Sequence, residues 1–260
     1  MVGFYSTAAK MSTSKTYLIT GANRGLGRGL TEALLQRPNT TVIAGVRDLT
    51  SPTSKSLSTL STATGSRVIP ILISSTDDAS PAQAIETLQT SHHITSLDIV
   101  IANAGISEHY APASTTSLKE VRSHFEVNAV GVLALFQAVL PLLKKSASKP
   151  VFVAISTAGA SIGAMEHIPI QATAYGMSKV ALNYLVKRIH LDEKDLTSFV
   201  LSPGWVQTDM GSAGAAASGL EEAPVKLEDS VKGMLGKIDN ATREETSGTF
   251  QSFDDEKYPW

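Results

Sequence analysis

A tyrosine and a lysine four residues apart, Tyr175 and Lys179, form the first pair in this sequence that is equipped for chemistry. Residues at this spacing lie on one face of a helix. A tyrosine hydroxyl has an ordinary pKa of about 10, and a nearby ammonium group lowers it by stabilising the phenolate. Such a hydroxyl can exchange a proton with a carbonyl or an alcohol near neutral pH. This spacing is common by chance. It becomes informative here because an apolar run ending at Ser156-Thr157 precedes it and because the chain also contains a glycine-rich turn.

That turn has the sequence Thr-Gly-Ala-Asn-Arg-Gly-Leu-Gly from Thr20 to Gly27, with glycines at 21, 25 and 27. Glycine lets the backbone turn tightly and approach a pyrophosphate, and the first N–H groups of a helix bind its charge. An apolar run precedes the turn and a helical pattern follows it, which is the context that a dinucleotide site needs. The alternative interpretation is an ordinary strand–helix turn.

The residues after the second apolar run bear on the choice of cofactor. An acidic residue about 20 positions beyond the turn binds a ribose 2′-hydroxyl, whereas an arginine accepts a 2′-phosphate. This chain has Arg47 followed by Asp48, and a second arginine, Arg24, within the turn. Two guanidinium groups on one phosphate favour NADP(H). Asp48 argues against NADP(H), because an acidic residue at this place could bind the ribose 2′-hydroxyl of NAD(H) instead. The alternative interpretation is that Arg47 and Asp48 are only a solvated pair without a role in cofactor binding.

Short runs rich in valine and isoleucine must position these residues. Most are continuously apolar, which is typical of parallel strands covered on both faces. Helical patterns lie between them, and the alternation predicts a doubly wound (Rossmann-type) α/β fold of seven parallel strands with helices on both faces. The predicted strands are Tyr17–Thr20, Thr41–Val46, Arg67–Ile73, Leu97–Ala102, Val151–Ile155, Phe199–Ser202 and Thr249–Phe253. The predicted helices are one carrying Leu26, Leu30 and Leu34, then Ser117–Lys145 and Ala174–His190, and the predicted loops are Thr50–Ser66 and Gly211–Pro224.

Composition limits the class of protein. With 260 residues, 42% of them hydrophobic, we expect one domain over residues 15–260 and a poorly ordered extension over residues 1–14. A net charge of −2 without a basic run gives no reason to expect nucleic acid. The absence of cysteine excludes disulfides and zinc–thiolate sites. The start of the chain has no continuous apolar segment of the secretory type, and the apolar stretch 129–143 is shorter than the ~20 residues of a membrane span. We therefore expect a cytoplasmic protein without a membrane partner.

No metal site is expected. His92-His93 lacks a carboxylate at ligand spacing, which favours a solvated loop. His124 and His190 fall on predicted helices, where surface or hydrogen-bonded core positions are the expected environment.

From Lys15 to Trp260 the chain resembles the short-chain dehydrogenases and reductases. Jointly, the motifs that carry this resemblance are specific. In chain order they are the Gly21/Gly25/Gly27 turn, Asn103-Ala104-Gly105, Asn128 in a long helix, Tyr175 with Lys179, and Pro203-Gly204-Trp205-Val206-Gln207-Thr208. Within the family, three stretches are similar to fungal ketoreductases that act on aromatic polyketides. They are Leu35-Gln36-Arg37-Pro38, the stretch from Ala174 to Lys179, and Tyr258-Pro259-Trp260.

The resemblance implies roles for these motifs. Tyr175 is expected to donate a proton, Lys179 to hold the nicotinamide ribose and lower the tyrosine pKa, and Asn128 to position a water. The implied cofactor-binding residues are Gly21, Asn23, Arg24, Gly25, Leu26, Gly27 and Arg47 on the phosphate side, Asn103, Ala104 and Gly105 on the adenosine side, and Pro203, Gly204, Val206 and Thr208 at the nicotinamide, with Tyr175 and Lys179.

The chain departs from the family pattern at two places. Thr157 stands where the family has its catalytic serine and keeps the hydroxyl that must bond the substrate oxygen, while Ser156 and Ser161 are the alternatives. The aspartate that often follows the third strand is replaced in the stretch 72–76, so the adenine contact is left to backbone or to Ser74.

The resemblance implies an NADPH-dependent ketoreductase that acts as a homodimer or homotetramer. Two alternatives remain. One is an alcohol dehydrogenase working in the oxidative direction, and the other is a non-catalytic NADP sensor or scaffold on the same fold. The small residues from Met210 to Leu220 suggest a pliable cover over the substrate, and Met165, Trp205 and Met210 an apolar lining. We therefore expect a bulky aromatic ketone as substrate.

Overall fold

Seven parallel strands form a single sheet in the computed structural model, which describes residues 14–168 and 171–260. The strand order is β3-β2-β1-β4-β5-β6-β7, which confirms the predicted fold class. The strands are β1 (Lys15–Thr20), β2 (Thr40–Val46), β3 (Arg67–Leu72), β4 (Ile99–Ala102), β5 (Val151–Ile155), β6 (Thr197–Ser202) and β7 (Phe250–Ser252). The order reverses between β1 and β4, and ligands of such sheets bind at the carboxyl ends of the strands beside this reversal.

Helices cover both faces of the sheet. They are α1 (Gly25–Leu35), α2 (Pro52–Lys55), α3 (Ser80–Ser91), α4 (Leu118–Phe125), α5 (Gly131–Leu143), α6 (Thr173–Asp192), α7 (Asp209–Ala217) and α8 (Leu227–Asp239). Two cores result, one under α3, α5 and α6 and the other under α1 and α8. Every residue of β2, β5 and β6 is buried, because side chains on both faces of these strands are covered.

Two predicted loops contain helices. Thr50–Ser66 includes α2, which Ser51 caps, and a 3-10 turn at Ser56–Thr59. The prediction of a loop at Gly211–Pro224 is wrong over its first part, since α7 extends to Ala217. Thr208 caps α7 by accepting a hydrogen bond from the Gly211 amide at 3.2 Å. This cap, with the helix propensity of the alanines, outweighs the two glycines inside the helix.

The predicted long helix is present but not uniform. α4 and α5 are joined by one π-helical turn, Glu126–Val130, so the helical path is continuous from Leu118 to Leu143. In the described part of the chain it is the one helix long and apolar enough to cross a membrane by length and composition. Its Leu135, Phe136 and Val139 are buried in the sheet core, with the Phe136 ring edge-on to Phe152. Core helices of soluble proteins pass the same test.

Among the described residues there is no group of three or more potential metal ligands, and His109 Nε2 is buried without a hydrogen-bond partner. His93 is exposed in the turn after α3. His124 is fully buried, with Nδ1 at 2.7 Å from the Glu120 carbonyl and Nε2 accepting from the Glu108 amide at 3.3 Å. The expectation for the extension at residues 1–14 lies outside the described residues apart from Ser14.

His190 makes the stability of the fold depend on pH. Burial lowers its pKa below the ordinary value, and the positive charges of Arg243, Lys187 and Lys194 act in the same direction. An Arg243 N–H lies 2.6 Å from His190 Nδ1, which must stay unprotonated to accept it. The unfolded chain, where the histidine pKa is about 6.5, therefore binds the proton more readily than the folded one.

We expect the contribution of His190 to the free energy of unfolding to have its full value above about pH 6.5 and to decrease as the pH drops below it. The measurement is the Tm of the parent and of His190→Gln, which keeps an acceptor for Arg243, at pH 5.5 and 7.5. A pH dependence of equal size in both proteins would contradict the assignment to His190.

Candidate active site

The glycine-rich turn connects β1 to α1 at the sheet reversal. Gly21 and Gly25 have φ angles of +65° and +51°, a region that other residues avoid. A β-carbon on Gly27 would lie 2.3 Å from the Gly21 carbonyl oxygen, so no side chain fits there without opening the turn. Arg24 precedes α1 without a side-chain cap, which leaves the first amides of this helix for another partner. Such a cradle fits the pyrophosphate of a dinucleotide.

The loop after β4 is fastened to this turn. The Thr20 hydroxyl accepts hydrogen bonds from the amides of Asn103 and Ala104, at 3.1 and 3.0 Å. The Asn103 side chain donates to the Thr20 carbonyl at 2.8 Å. Gly105 follows, where a β-carbon would lie 3.4 Å from Lys179 Nζ. Asn103, Ala104 and Gly105 therefore link the phosphate turn to the interior of the site.

The residues that bear on the 2′ position lie on the surface at the ends of β1 and β2. The side chain of Arg24 is 59% exposed and within 4.0 Å of Asp209, and Arg47 is exposed directly after β2. The Asp48 carboxylate accepts from the hydroxyl and amide of Thr50, at 2.6 and 2.7 Å, and these bonds lower its pKa. Asp48 is thus engaged in its own turn, while both arginines are exposed.

Asn23 and Leu26 complete the turn. The Asn23 side-chain amide donates to the Thr53 hydroxyl at 2.8 Å and so ties the turn to α2. Leu26 packs partly buried against the core under α1.

Tyr175 and Lys179 lie in α6 and face the carboxyl end of β5. Lys179 is buried and its Nζ donates to the Ile155 carbonyl at 2.7 Å, 5.8 Å from the centre of the Tyr175 ring. Burial lowers the Lys179 pKa from 10.5 to about 8. An ammonium with a depressed pKa beside a phenol can take part in proton transfer.

The hydroxyl of Tyr175 is kept protonated by its surroundings. Burial raises the pKa of Tyr175 well above 10, the nearby Tyr110 acts in the same direction, and a hydrogen bond with Thr157 opposes them. The lowering of this pKa that the sequence predicts from Lys179 together with an oxidised nicotinamide stays a prediction. Desolvation dominates, and the ammonium group bonds a backbone carbonyl rather than the phenol.

Three hydroxyl residues near Tyr175 were candidates for holding the substrate oxygen. The Ser156 hydroxyl donates to Asn183 Oδ1 at 2.6 Å, and the Ser161 hydroxyl donates to the Pro259 carbonyl at 2.6 Å. The Thr157 hydroxyl accepts from the Gly159 amide at 3.2 Å and interacts with Tyr175. Thr157 is therefore the one of the three whose hydroxyl faces the tyrosine.

Asn128 lies in the π turn between α4 and α5, a feature common at functional sites. Its side chain donates to the Ile106 carbonyl at 3.0 Å and to the Ser178 hydroxyl at 2.9 Å, and accepts from the Ile106 amide at 2.9 Å. Both amide protons are in use, so the side chain clamps the loop after β4 to α6. The Oδ1 oxygen has a second lone pair to which a water can donate, and the positioning of a relay water by Asn128 stays a prediction.

The turn after β6 closes the site from the other side. Gly204 has a φ of +77°, and a β-carbon there would lie 2.7 Å from the Phe253 ring. The Pro203 carbonyl accepts from the Ser230 hydroxyl at 2.7 Å, and the buried Val206 pairs with Val225. A β-carbon on Gly25 would lie 3.5 Å from the methyl group of Thr208, so this turn meets the phosphate turn.

Exposed apolar side chains occur in the two segments that follow Thr157 and Thr208. Ile162, Met165, Met210 and Leu220 are 60%, 54%, 38% and 48% exposed. Trp205 is held by a hydrogen bond from its indole N–H to the Gly211 carbonyl at 2.9 Å. Side chains of this kind suit an apolar ligand.

Sequence analysis missed three side chains of the site: Tyr110, Ser178 and Asn183. Tyr110 bonds the Ser107 carbonyl at 3.2 Å, and its hydroxyl would lie 3.3 Å from a β-carbon on Gly214 in α7. It comes from a loop without a motif, so its place depends on tertiary structure. Ser178 and Asn183 were detectable only as polar residues on the buried face of α6.

Comparison with known proteins agrees with this architecture. The family model for short chain dehydrogenases matches residues 15–218, and the chain belongs to this family of oxidoreductases, whose members use nicotinamide cofactors. It is 46% identical to norsolorinic acid ketoreductase of Dothistroma septosporum, over 96% of this chain and 94% of that protein. It is 43% identical to norsolorinic acid ketoreductase of Aspergillus parasiticus, over 94% of this chain and 90% of that protein. The crystal structure of NADPH-bound carbonyl reductase from chicken fatty liver superimposes with a TM-score of 0.83 at 30% identity, covering 95% of this chain and 99% of that one.

Proposed function

We propose that this protein reduces a ketone to a secondary alcohol with NADPH, and that Tyr175 donates the proton. The observation that carries the proposal is the meeting of Tyr175, Thr157 and Lys179 at the carboxyl end of β5, beside a turn that accepts a pyrophosphate. A non-catalytic sensor would not need this proton donor. The nicotinamide, when bound, supplies a hydride to the carbonyl carbon.

The protein's own residues handle the oxygen. Thr157 and Tyr175 donate hydrogen bonds to the carbonyl oxygen and so hold the ketone in place. As negative charge develops on that oxygen, the Tyr175 hydroxyl gives it a proton. The Lys179 ammonium, 5.8 Å from the centre of the Tyr175 ring, stabilises the phenolate that this transfer leaves, and a proton from solvent water restores the phenol. Asn128 is a positioning residue that keeps the loop after β4 beside α6.

We propose reduction rather than oxidation as the direction of the reaction. At neutral pH the phenol is protonated, which is the form that a reductase needs to start its cycle. An alcohol dehydrogenase needs the phenolate first. Oxidation faster than reduction at pH 7, with equal saturation of both substrates, would favour the alternative.

NADPH is the proposed cofactor because Arg47 and Arg24 are exposed while Asp48 is engaged by Thr50. A phosphate–arginine hydrogen bond contributes about 1.5–3 kcal/mol. We therefore expect Arg47→Ala to weaken NADPH binding by roughly 10- to 100-fold and to leave NADH binding unchanged. The measurement is both dissociation constants by quenching of protein fluorescence.

Arg188→Ala is the matched control for this experiment. It removes the same charge from an exposed pair with Asp192 on α6, on a surface that has no part in the proposed site. Equal affinities of the parent protein for NADPH and NADH would overturn the choice of cofactor.

The proposed substrate is a bulky aromatic ketone of the polyketide type. The names of the two fungal relatives support it, as do the exposed apolar side chains in the segments after Thr157 and Thr208: Ile162, Met165, Met210 and Leu220. α7 contains Gly211 and Gly214. We propose that this helix of small residues covers the substrate and can move to admit a large ring system.

We expect kcat/KM for a hydroxylated polycyclic ketone such as 2-acetyl-1-naphthol to exceed that for ethyl acetoacetate by about tenfold or more, because more apolar surface is buried. The test is a rate comparison at saturating NADPH. An equal or higher value for the small ketone would contradict the proposal on substrate size, whereas no turnover of either would count against a reductase.

We further propose that the protein forms a homodimer or homotetramer. Members of the family commonly pair through the helices that correspond to α5 and α6. On these helices Leu133, Met177 and Tyr184 are 39%, 46% and 74% exposed. A cytoplasmic location, and the absence of metal, nucleic-acid and membrane partners, stay predictions.

A further inference from the structure

The chain that follows Thr157 lies beside the site but has little structure of its own. After a 3-10 turn at Ala158–Ala160 comes Ser161–Ile168, which we call the rim segment and in which Ile162 and Met165 are exposed. Within the rim segment, backbone bonds run from the Ala164 amide to Ser161 at 3.3 Å and from Ile168 to Met165 at 3.1 Å. Hydrogen bonds of 3-10 turns have poor geometry, so the position of this segment depends on contacts with other parts of the molecule.

Pro259 and Trp260 provide such contacts. The hydroxyl of Ser161, a fully buried residue, donates to the Pro259 carbonyl at 2.6 Å. The Gly163 amide donates to the Trp260 carbonyl at 3.2 Å. A β-carbon on Gly163 would lie 2.9 Å from the Pro259 ring, so the two backbones pack closely at this point. The rim segment is therefore held at two positions by residues almost 100 places away in the sequence.

Pro259 and Trp260 are in turn fixed to the body of the protein. The ring centre of Trp260 lies 5.9 Å from that of Phe250, a buried residue of β7. Lys187 Nζ lies 5.4 Å from the Trp260 ring and donates to the Gly248 carbonyl at 2.7 Å. Lys187 belongs to α6, the helix that carries Tyr175 and Lys179. A continuous set of contacts thus runs from α6 and β7 through Trp260 to the rim segment.

We propose that Pro259 and Trp260 form a brace that positions the rim segment and thereby determines specificity for bulky ketones. This inference rests on the proposed function. A small ketone needs only the oxygen contacts of Thr157 and Tyr175, whereas a polycyclic ketone extends to Ile162 and Met165. Loosening the rim segment should therefore weaken binding of the large substrate and leave the chemistry unchanged.

The test uses Trp260→Ala, which removes the ring that rests on Phe250 and Lys187, and Ser161→Ala, which removes the bond to Pro259. Trp260→Phe is the conservative variant, because it retains an aromatic ring beside Phe250. Tyr258→Phe is the matched control: it keeps its ring 5.4 Å from Phe250 and loses only the hydroxyl bonded to Glu256. The measurements are kcat and KM for 2-acetyl-1-naphthol and ethyl acetoacetate, and hydrogen exchange of residues 161–168.

We expect both alanine variants to raise KM for 2-acetyl-1-naphthol by about tenfold, since small displacements at a binding surface have large effects on rate. Its kcat, and both constants for ethyl acetoacetate, should stay within about twofold. Exchange of the rim segment should become faster, while Trp260→Phe and Tyr258→Phe should match the parent.

Three results would overturn the inference: unchanged exchange of the rim segment, an unchanged KM for the large ketone, or equal losses with both ketones. If the parent protein reduces neither ketone, the proposed function fails, and the dissociation constant of 2-acetyl-1-naphthol with NADPH present decides the brace instead. A constant at least about tenfold higher in Trp260→Ala, with faster exchange, would then support it. Equal constants would overturn it.

Discussion

Tyr175→Phe is expected to lower kcat by about 10²- to 10⁴-fold, the usual contribution of a positioned proton donor. The variant keeps the buried ring and removes only the hydroxyl that interacts with Thr157. Fold and cofactor binding should be retained, because no contact of the glycine-rich turn involves this hydroxyl. The measurements are kcat with 2-acetyl-1-naphthol, the NADPH dissociation constant and the Tm.

Tyr110→Phe provides the matched control, since Tyr110 is the second phenol near the site and bonds the Ser107 carbonyl. Its loss should reduce kcat by less than about tenfold, because Ser107 and not the substrate is its partner. A Tyr175→Phe enzyme within a few-fold of the parent rate would refute the assignment. A larger loss in Tyr110→Phe would transfer the role of proton donor to that residue.

The sheet was predictable because its strands are buried on both faces. Runs such as Thr41–Val46 and Val151–Ile155 are continuously apolar, and the structure places each within a fully buried strand. The phosphate turn was predictable for a related reason. Positive φ angles at Gly21 and Gly25, and the contact that excludes a side chain at Gly27, require glycine at these spacings.

Local sequence was a poorer guide where two weak preferences compete. α7 contains two glycines and four alanines, and the loop prediction gave weight to the glycines and missed the cap formed by Thr208. The π turn at Glu126–Val130 has no periodic signal that separates it from an α-helix.

Electrostatics was the least predictable part of the site. Spacing alone puts Lys179 beside Tyr175 and suggests a lowered phenol pKa. Burial raises that pKa, and Lys179 is directed to the Ile155 carbonyl. Such outcomes depend on how far a site is desolvated, which is a property of the folded molecule.

The choice between the hydroxyls of Thr157 and Ser156 also depends on tertiary contacts. The two are adjacent in sequence, yet consecutive side chains point to opposite sides of an extended backbone. Ser156 is 1% exposed and bonded to Asn183, whereas Thr157 faces Tyr175. The Ser156 bond fastens β5 to α6, and the assignment of the substrate contact to Thr157 stays a prediction.

Thr157→Val should therefore lower mainly kcat, whereas Ser156→Ala should lower mainly the stability of the fold. Thr157→Val keeps the side-chain shape and removes a donor to the substrate oxygen and the acceptor for the Gly159 amide, so we expect a loss in kcat on the order of 10²-fold and a loss of stability of about 1 kcal/mol. Thr157→Ser should restore most of the rate, because it returns the hydroxyl. Ser156→Ala leaves Asn183 Oδ1 without its donor and should lower stability by about 1–3 kcal/mol with kcat within a few-fold. Measuring kcat and Tm for the three variants decides the matter: a larger loss of kcat in Ser156→Ala would assign the substrate contact to Ser156 and place Thr157 in a structural role.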